Sequence, residues 1–421
     1  MIIKSPKGTH DILPSEIYKW QYIEKVIEEL CRNFGYSEIR IPVFEHTELY
    51  ARGVGDSTDI VQKEMYTFLD KGGRSITLRP EGTAGVVRSY IENGMASWPH
   101  PVKLYYNITA YRHENVQRGR YREFNQFGIE LFGAAGASAD AEVISMAHML
   151  FERLGLKEIS LNINSLGCVV CRKEYNKKLT DYFSPLAEQL CQDCQNRLKR
   201  NPLRILDCKE EICGQYIKDA PSLLDNLCSD CKSHFENVLM RLDNMKINYN
   251  IDKSIVRGLD YYNRTVFEFV SSNIGSQGTI CGGGRYDNLV EMLGGPNVPG
   301  IGFALGIERL ILEMENQDIE IPKYPGTDIY IAPIGNKADM YAEKLVYQLR
   351  KEGINAEKDI MERSLKAQMR YANKIGALYL IVLGDNEIEN NSAVLLNMKT
   401  GEKQCISLDT IINRLNTLKN K

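Results

Sequence analysis

The sequence predicts an antiparallel α+β domain that carries a helical, cysteine-rich insertion and is followed by a smaller α/β domain. Three observations lead there. Segments before residue 166 and after residue 250 read as strands, hairpins and a few helices, without the strand-helix rhythm of a parallel sheet. Residues 166–250 are instead Lys-rich and helical in period, and hold eight of the eleven cysteines. Beyond the Pro-rich hinge "IEIPKYPG" (319–326), strands and helices alternate as β-α-β-α-β, so that sheet is parallel or mixed. At 421 residues the chain exceeds one hydrophobic core. The expected boundaries are 1–325, interrupted at about 166–250, and 326–421.

Taken in order, Ile17, Trp20, Ile23, Ile27, Leu30 and Phe34 recur at helical spacing, and "SEIRIPVFE" then alternates as a strand. Pro42 interrupts that strand. A proline has no ladder donor, so it belongs at an edge or bulge, a position open to another subunit. "EMYTFLD" and "RSITLRP" flank Lys71, Gly72 and Gly73 as a hairpin, and "PEGTAGVVRSYIE" reads as a turn into a helix. "KLYYNITAYR" and "REFNQFGIELFG" form a second hairpin. "RGLDYYNRTVFEFVSS" and "GTICGGGRYDNLV" resume the strands, and "GIGFALGIERLILEME" runs from strand into apolar helix. In the last domain "TDIYIAPI", "INAEKD" and "ALYLIVLG" are strands separated by helices near 337–352 and 364–375.

Composition narrows the function classes. No apolar run approaches the roughly 18 residues of a membrane-spanning helix, and the start lacks the apolar core of a signal peptide, so a cytoplasmic location is expected. A net charge of -3 excludes a blanket basic surface, so any anion must be held by a local patch.

Such a patch lies at "YRHENVQRGRYREFNQFGIELFG" (111–133). By period 2, Arg122, Phe124, Gln126, Gly128, Glu130 and Phe132 share one face of the second strand, while Phe127, Ile129 and Leu131 face the core. Arg112 lies across the hairpin, and its planar fork can hold two phosphate oxygens. Phe124 can stack on a purine, and Gln126 with Glu130 can hold an ammonium or an imidazole. Other stretches converge on the same ligand: Arg257 ahead of Tyr261 and Tyr262, close backbone approach at Gly282, Gly283 and Gly284 beside Arg285 and Tyr286, Arg309 in an apolar segment, and Glu81 with Thr83 at a helix start.

The order "RPEGTAG", "YRHE" with "GRYREFNQFGIE", "RGLDYYNRTVFEF", "CGGGRYDNL" and "GIGFALGIERL" closely resembles the histidyl-tRNA synthetase family of class II aminoacyl-tRNA synthetases, over essentially the whole chain. The resemblance implies a class II catalytic domain and a C-terminal anticodon-binding domain. It implies an enzyme that uses ATP and Mg²⁺ to activate L-histidine and charge tRNA(His), acting as a homodimer. Glu81, Gly82, Thr83, Gln126, Glu130, Tyr261, Tyr262 and Tyr286 would surround histidine, with Arg112 and Arg257 reaching its carboxylate. Arg112, Glu114, Arg120, Phe124 and Arg309 would hold ATP, and Arg112, Arg257 and Arg309 would carry catalysis. Gln117 and Arg118 would meet the acceptor end of the tRNA. Two relatives in function are weighed against this: a histidine-binding regulatory subunit, disfavoured by the intact arginines and last domain, and a non-catalytic zinc RNA-binding protein, which leaves Glu81, Gln126 and Glu130 unexplained.

The cysteines are a separate matter. Cys168/Cys171 and Cys191/Cys194 are two CxxC pairs at zinc-site separation, and Cys208, Cys213, Cys228 and Cys231 offer a second set. Their residue types fit structural zinc and fit reduced, partly buried thiols equally well.

Overall fold

The structure is a computed structural model that describes residues 2–56, 58–208, 210–274, 278–323 and 326–419. It divides into two compact units, Met1–Pro322 and Lys323–Lys421. Tyr324 and Pro325 of the expected hinge lie outside the described residues.

The first unit opens with α1 (Tyr18–Asn33), whose stripe of Trp20, Ile23, Ile27 and Leu30 is buried. Each such side chain contributes about 1.5–3 kcal/mol relative to exposure. The expected strand after it is two short ones, β1 (Ser37–Glu38) and β2 (Phe44–His46), in different sheets, with Pro42 between them. A residue without a donor ends one ladder and frees the chain to enter another. After α2 (Thr47–Val54), β3 (Thr67–Leu69) and β4 (Ser75–Leu78) form the expected hairpin and join β2 in a three-stranded sheet. Then α3 (Thr83–Glu92) begins.

The main sheet has eight strands. β5 (Val102–Tyr111) and β6 (Glu123–Phe132) pair antiparallel over their whole length, with Tyr106 opposite Gly128 and Leu104 opposite Glu130. α4 (Ala137–Arg153) leads to β7 (Ile159–Ser165), and the insertion follows as α5 (Val169–Phe183), α6 (Gln192–Arg200), α7 (Glu211–Ile217) and α8 (Ser229–Asn244). β8 (Asn250–Ile251), β9 (Asn263–Ser271), β10 (Thr279–Arg285), a short α9 (Leu289–Met292), β11 (Gly300–Gly306) and α10 (Ile307–Asn316) complete the unit. The strand order is β1-β5-β6-β11-β10-β9-β7-β8, antiparallel except at the two edge pairs, β1 with β5 and β7 with β8.

This sheet separates two cores. Phe127, Ile129 and Leu131 of β6 pack with α1, α4 and α8 on one face. Tyr106, Phe132, Tyr261, Tyr262 and Tyr286 gather on the other, together with the buried residues of the insertion. Because β6 is covered on both faces, it is buried continuously from Gln126 to Phe132 rather than alternately.

The second unit is a five-stranded sheet, β13-β12-β14-β15-β16, from β12 (Ile329–Pro333), β13 (Ala356–Lys358), β14 (Tyr379–Leu383), β15 (Ser392–Asn397) and β16 (Lys403–Ser407). The first three pair parallel and the last two antiparallel, so the sheet is mixed. α11 (Asn336–Lys351), α12 (Leu365–Lys374), α13 (Asp385–Glu389) and α14 (Ile411–Lys419) accompany it. Ile329, Ile331, Leu345 and Ile381 anchor a core of its own.

Candidate functional site

A cleft of about 340 Å³ opens on the face of the main sheet opposite α1 and α4, lined by the start of α3, the β5–β6 connection, the segment before β9, and β10, β11 and α10. Its lining mixes carboxylates, Glu81, Glu114, Glu268 and Glu308, with the arginines Arg112, Arg120, Arg257 and Arg309.

At the α3 end, Glu81 caps the helix: its two carboxylate oxygens accept the amides of Thr83 at 2.7 Å and Ala84 at 2.8 Å. Capping satisfies helix donors that have no partner in the turn before. Gln126 fixes the same turn by accepting the Gly82 amide through Oε1 at 3.0 Å, which leaves its NH₂ group for other partners. Burial pushes the Glu81 carboxyl up. Glu130 lies one step deeper, behind the lining of the cleft, and is 1% exposed. The Tyr286 hydroxyl donates to its Oε2 and the Tyr106 hydroxyl to its Oε1. Burial pushes its carboxyl up to about 8, with the Tyr286 and Thr83 hydroxyls opposing. Tyr261 lies against Tyr262 with ring centroids 4.6 Å apart and meets Tyr286 edge-on at 5.7 Å.

Four arginines also line the cleft: Arg112, Arg120, Arg257 and Arg309. Arg112 donates Nε to the Pro80 carbonyl at 2.8 Å and sits 5.4 Å from the centre of the Phe124 ring, so its terminal nitrogens are aimed while its stem is held. Glu114 lies between Arg112, at 3.6 Å, and Arg120, at 3.2 Å. Arg309 donates to the Thr279 carbonyl. Burial lowers its pKa, and the Arg120 charge lowers it further. Such a field favours an arriving anion.

Arg257 adopts φ 51°, a left-handed backbone uncommon for a residue with a Cβ, and its side chain lines the cleft. Its guanidinium rests over Gly282, where any Cβ would collide with it, and pairs with Glu268. Burial works against that charge and Glu268 outweighs it, so the pKa is raised. Glu268 is the cross-strand partner of Gly282, and Thr279 Oγ1 also donates to it at 2.9 Å.

Several sequence expectations are corrected. Arg122 precedes β6 and does not line the cleft; its stem packs over Gly8 and its Nε points to the Glu114 carbonyl at 3.3 Å. Phe132, at the far end of the same face, packs on Tyr90 with centroids 4.6 Å apart. Gly128 clears room for the ring of Tyr106, not for a ligand. Of the glycines of β10 expected to bring backbone close to the ligand, Gly282 lines the cleft and Gly283 and Gly284 do not. Arg285 is wholly buried on the opposite side of the strand from Gly282 and Gly284, gripping Asp140 at 2.7 and 2.9 Å. Gln117 and Arg118, expected at the tRNA acceptor end and not in the cleft, are exposed in the connection, outside the lining. Gly82 and Tyr286 support lining residues without lining the cleft themselves.

The proposed grouping of Cys168, Cys171, Cys191 and Cys194 is also overturned. The sulfurs gather as Cys168, Cys171, Cys228 and Cys231, and as Cys191, Cys194, Cys208 and Cys213. The insertion folds back on itself, so α8 brings the last pair to the first.

Sequence reasoning passed over Tyr106, Glu268 and Glu308. Glu308 accepts the Asn125 amide at 2.8 Å and its side-chain NH₂ at 2.9 Å, tying the start of α10 to β6. Glu268 carries a sequence signal, a carboxylate inside the apolar run "VFEFV".

Comparison with known proteins agrees with this architecture. Residues 8–310 match the family model described as Histidyl-tRNA synthetase, and 328–418 match that of an anticodon binding domain. The histidine-tRNA ligase of Acetivibrio thermocellus is 69% identical over 99% of this chain and 100% of its own. That of Clostridioides difficile is 52% identical over 99% of both. The crystal structure of apo S. aureus histidyl-tRNA synthetase superposes with a TM-score of 0.85 at 46% identity, covering 98% of this chain and 100% of that one. A Bacillus halodurans structure titled as an ATP phosphoribosyltransferase regulatory subunit/histidyl-tRNA synthetase shares the fold at 22% identity and a TM-score of 0.65. With a family model spanning the whole main sheet and a second one covering the terminal unit, the chain belongs to the histidyl-tRNA synthetase family and has its class II fold.

Proposed function

We propose that this chain, an aminoacyl-tRNA ligase by family, activates L-histidine with ATP in the cleft described and passes the histidyl group to tRNA(His). One observation carries the residue-level reading: a single cleft holds Glu81 and Gln126 together with Arg112, Arg120, Arg257 and Arg309. That combination suits an amino acid whose cationic and ring nitrogens face carboxyl and amide groups while its carboxylate faces arginines.

In the first step a histidine carboxylate oxygen attacks the α-phosphate of ATP, the bond to the β-phosphate breaks, and pyrophosphate leaves. A carboxylate is already a nucleophile, so no general base is needed. The obstacle is bringing two anions together and carrying the charge that builds on the leaving group. Arg112 and Arg257 face that repulsion from two sides of the cleft, and Arg309 with Arg120 receives the polyphosphate. Phe124 offers a plate for the adenine, with Glu114 beside it. Glu81, Gln126 and Thr83 bind the amino group, and Glu130, through Tyr261 and Tyr286, sets the polarity met by the imidazole. Glu308 is bonded to Asn125, and Glu114 lies between Arg112 and Arg120 with no hydrogen bond to its buried Oε2, so Mg²⁺ would come with the nucleotide that carries it. When bound it neutralises charge on the phosphates.

In the second step a ribose hydroxyl at the 3' end of the tRNA attacks the acyl carbon and AMP departs. A wider cavity of about 890 Å³ continues from Arg112, Arg257 and Arg309 to Arg197 and Arg204 of the insertion, which supports an acceptor-end path along that side. Gln117 and Arg118 stand exposed in the connection at the cleft. A homodimer is supported by Phe44, Phe68 and Leu69, exposed apolar side chains on the small sheet. No helix among the described residues is long and apolar enough to cross a membrane, and tRNA and ATP as substrates support a cytoplasmic location.

The test is amino-acid-dependent exchange between ATP and pyrophosphate, with Mg²⁺, across a panel of amino acids. Histidine alone should support exchange. Measurable histidine binding without exchange would overturn the enzymatic reading in favour of a regulatory one.

A further inference from the structure

The geometry points to two structural zinc ions, one in each of the four-cysteine clusters of the insertion. In each cluster all four sulfurs lie within 4.8 Å of one another. Zinc bound to four thiolates at about 2.3 Å places its sulfurs at the corners of a tetrahedron with edges of about 3.8 Å. The closest recorded pairs match that edge: Cys168 and Cys171 at 3.7 Å, and Cys191 and Cys208 at 3.8 Å. A disulfide requires about 2.05 Å, so these are thiols grouped without bonding. Apolar packing of cysteines explains burial, but it does not explain two sets of four sulfurs each gathered within 4.8 Å.

The backbone is arranged for the same purpose. Cys168, Cys191 and Cys228 each sit at the N-cap of a helix, and the second cysteine of each CxxC falls in that helix's first turn. Two amides already point at sulfur, Cys228 N to Cys171 Sγ at 3.1 Å and Cys191 N to Cys213 Sγ at 3.3 Å. Amides and helix N-termini both favour a thiolate over a thiol, and thiolates are the zinc ligands. Binding releases the thiol protons and leaves four charge-assisted Zn–S bonds in each set, with no change of oxidation state.

The first cluster closes the neck of the insertion, joining the start of α5 to the start of α8. The second shapes α6 and the turn after it, where Arg204 donates to the Gly258 carbonyl at 2.7 Å and Asn201 to Asp260 at 3.2 Å. From the first cluster, Arg172 donates to the Tyr262 carbonyl at 2.7 Å. The clusters therefore brace, from behind, the segment that presents Arg257, Tyr261 and Tyr262. This inference does not depend on the reaction assigned to the cleft.

The test is elemental analysis of the full-length, untagged protein purified from zinc-replete cells without chelator. Two zinc ions per chain are expected, with a zinc absorption-edge spectrum showing only sulfur neighbours at about 2.3 Å. Cys208→Ser and Cys228→Ser should each retain one zinc. Because those variants can unfold, the wild-type protein is also titrated with an organomercurial while a zinc dye reports release; about four thiols should be consumed per zinc freed. Absence of zinc, iron in its place, nitrogen or oxygen neighbours, or zinc that stays bound after the thiols are blocked would each overturn the assignment.

Discussion

Glu130 shows how a single residue sets the chemistry of the cleft. Its ordinary pKa is 4.5, and burial raises it to about 8 in the unliganded fold. An acid whose folded pKa is raised binds more protons folded than unfolded, so its contribution to stability is fully present below about 4.5 and is lost as pH climbs to about 8. Glu130→Gln, a neutral isostere, should flatten that loss: the variant gains on the wild type across this window in denaturant melts of the unliganded protein. An unchanged pH profile would show that the carboxyl is not the titrating group. Glu130→Ala should raise the KM for histidine far more than that for ATP in the exchange assay, because the groups it orders face the amino acid. Equal effects on both would remove Glu130 from the histidine side.

Elements fix where such residues stand. Tyr106 of β5 lies opposite Gly128 of β6, and the glycine leaves room for the ring that carries a hydroxyl to Glu130. Gly302 of β11, paired with Glu130, likewise admits the carboxyl group itself. Away from the cleft, Asp140 on α4, Arg285 on β10 and His234 on α8 form one buried network. Arg285 further donates to the Ala134 and Gly136 carbonyls at 3.1 and 3.0 Å. Removing one partner strands a buried charge, which costs about 3–5 kcal/mol. Arg285→Ala should therefore lower stability by that amount in urea unfolding, whereas the fraction that stays folded keeps its KM for histidine. A changed KM with unchanged stability would place Arg285 back at the ligand.

At the scale of the molecule, the two compact units have separate cores, and only the first contains the cleft. The matching of 328–418 to an anticodon binding domain assigns the second unit to the tRNA. A chain cut to residues 1–322 should retain histidine-dependent exchange within a few-fold while losing about 10²-fold or more in tRNA charging, the scale on which linked contacts exceed single ones. Loss of exchange together with charging would show that the terminal unit supports the cleft itself.

Much of this was written locally in the chain. Period-2 and helical spacing gave the β5–β6 hairpin, α1 and the first three strands of the terminal sheet, because those patterns depend on neighbours two to four residues apart; the antiparallel β15 and β16 that make that sheet mixed went unread. The arginines, Glu81 and Gln126 were legible because charge and amide groups in strand or helix-start positions are costly unless they face a ligand or a cap. Pairings between distant segments were not legible. Which cysteines share a cluster, that Arg285 turns away from the cleft while Gly282 on the same strand lines it, and that Glu268 receives Arg257 depend on register and on the folding back of the insertion. Spacing fixes which face of its own element a side chain occupies. Only closure of the sheet and the insertion decides what stands opposite it.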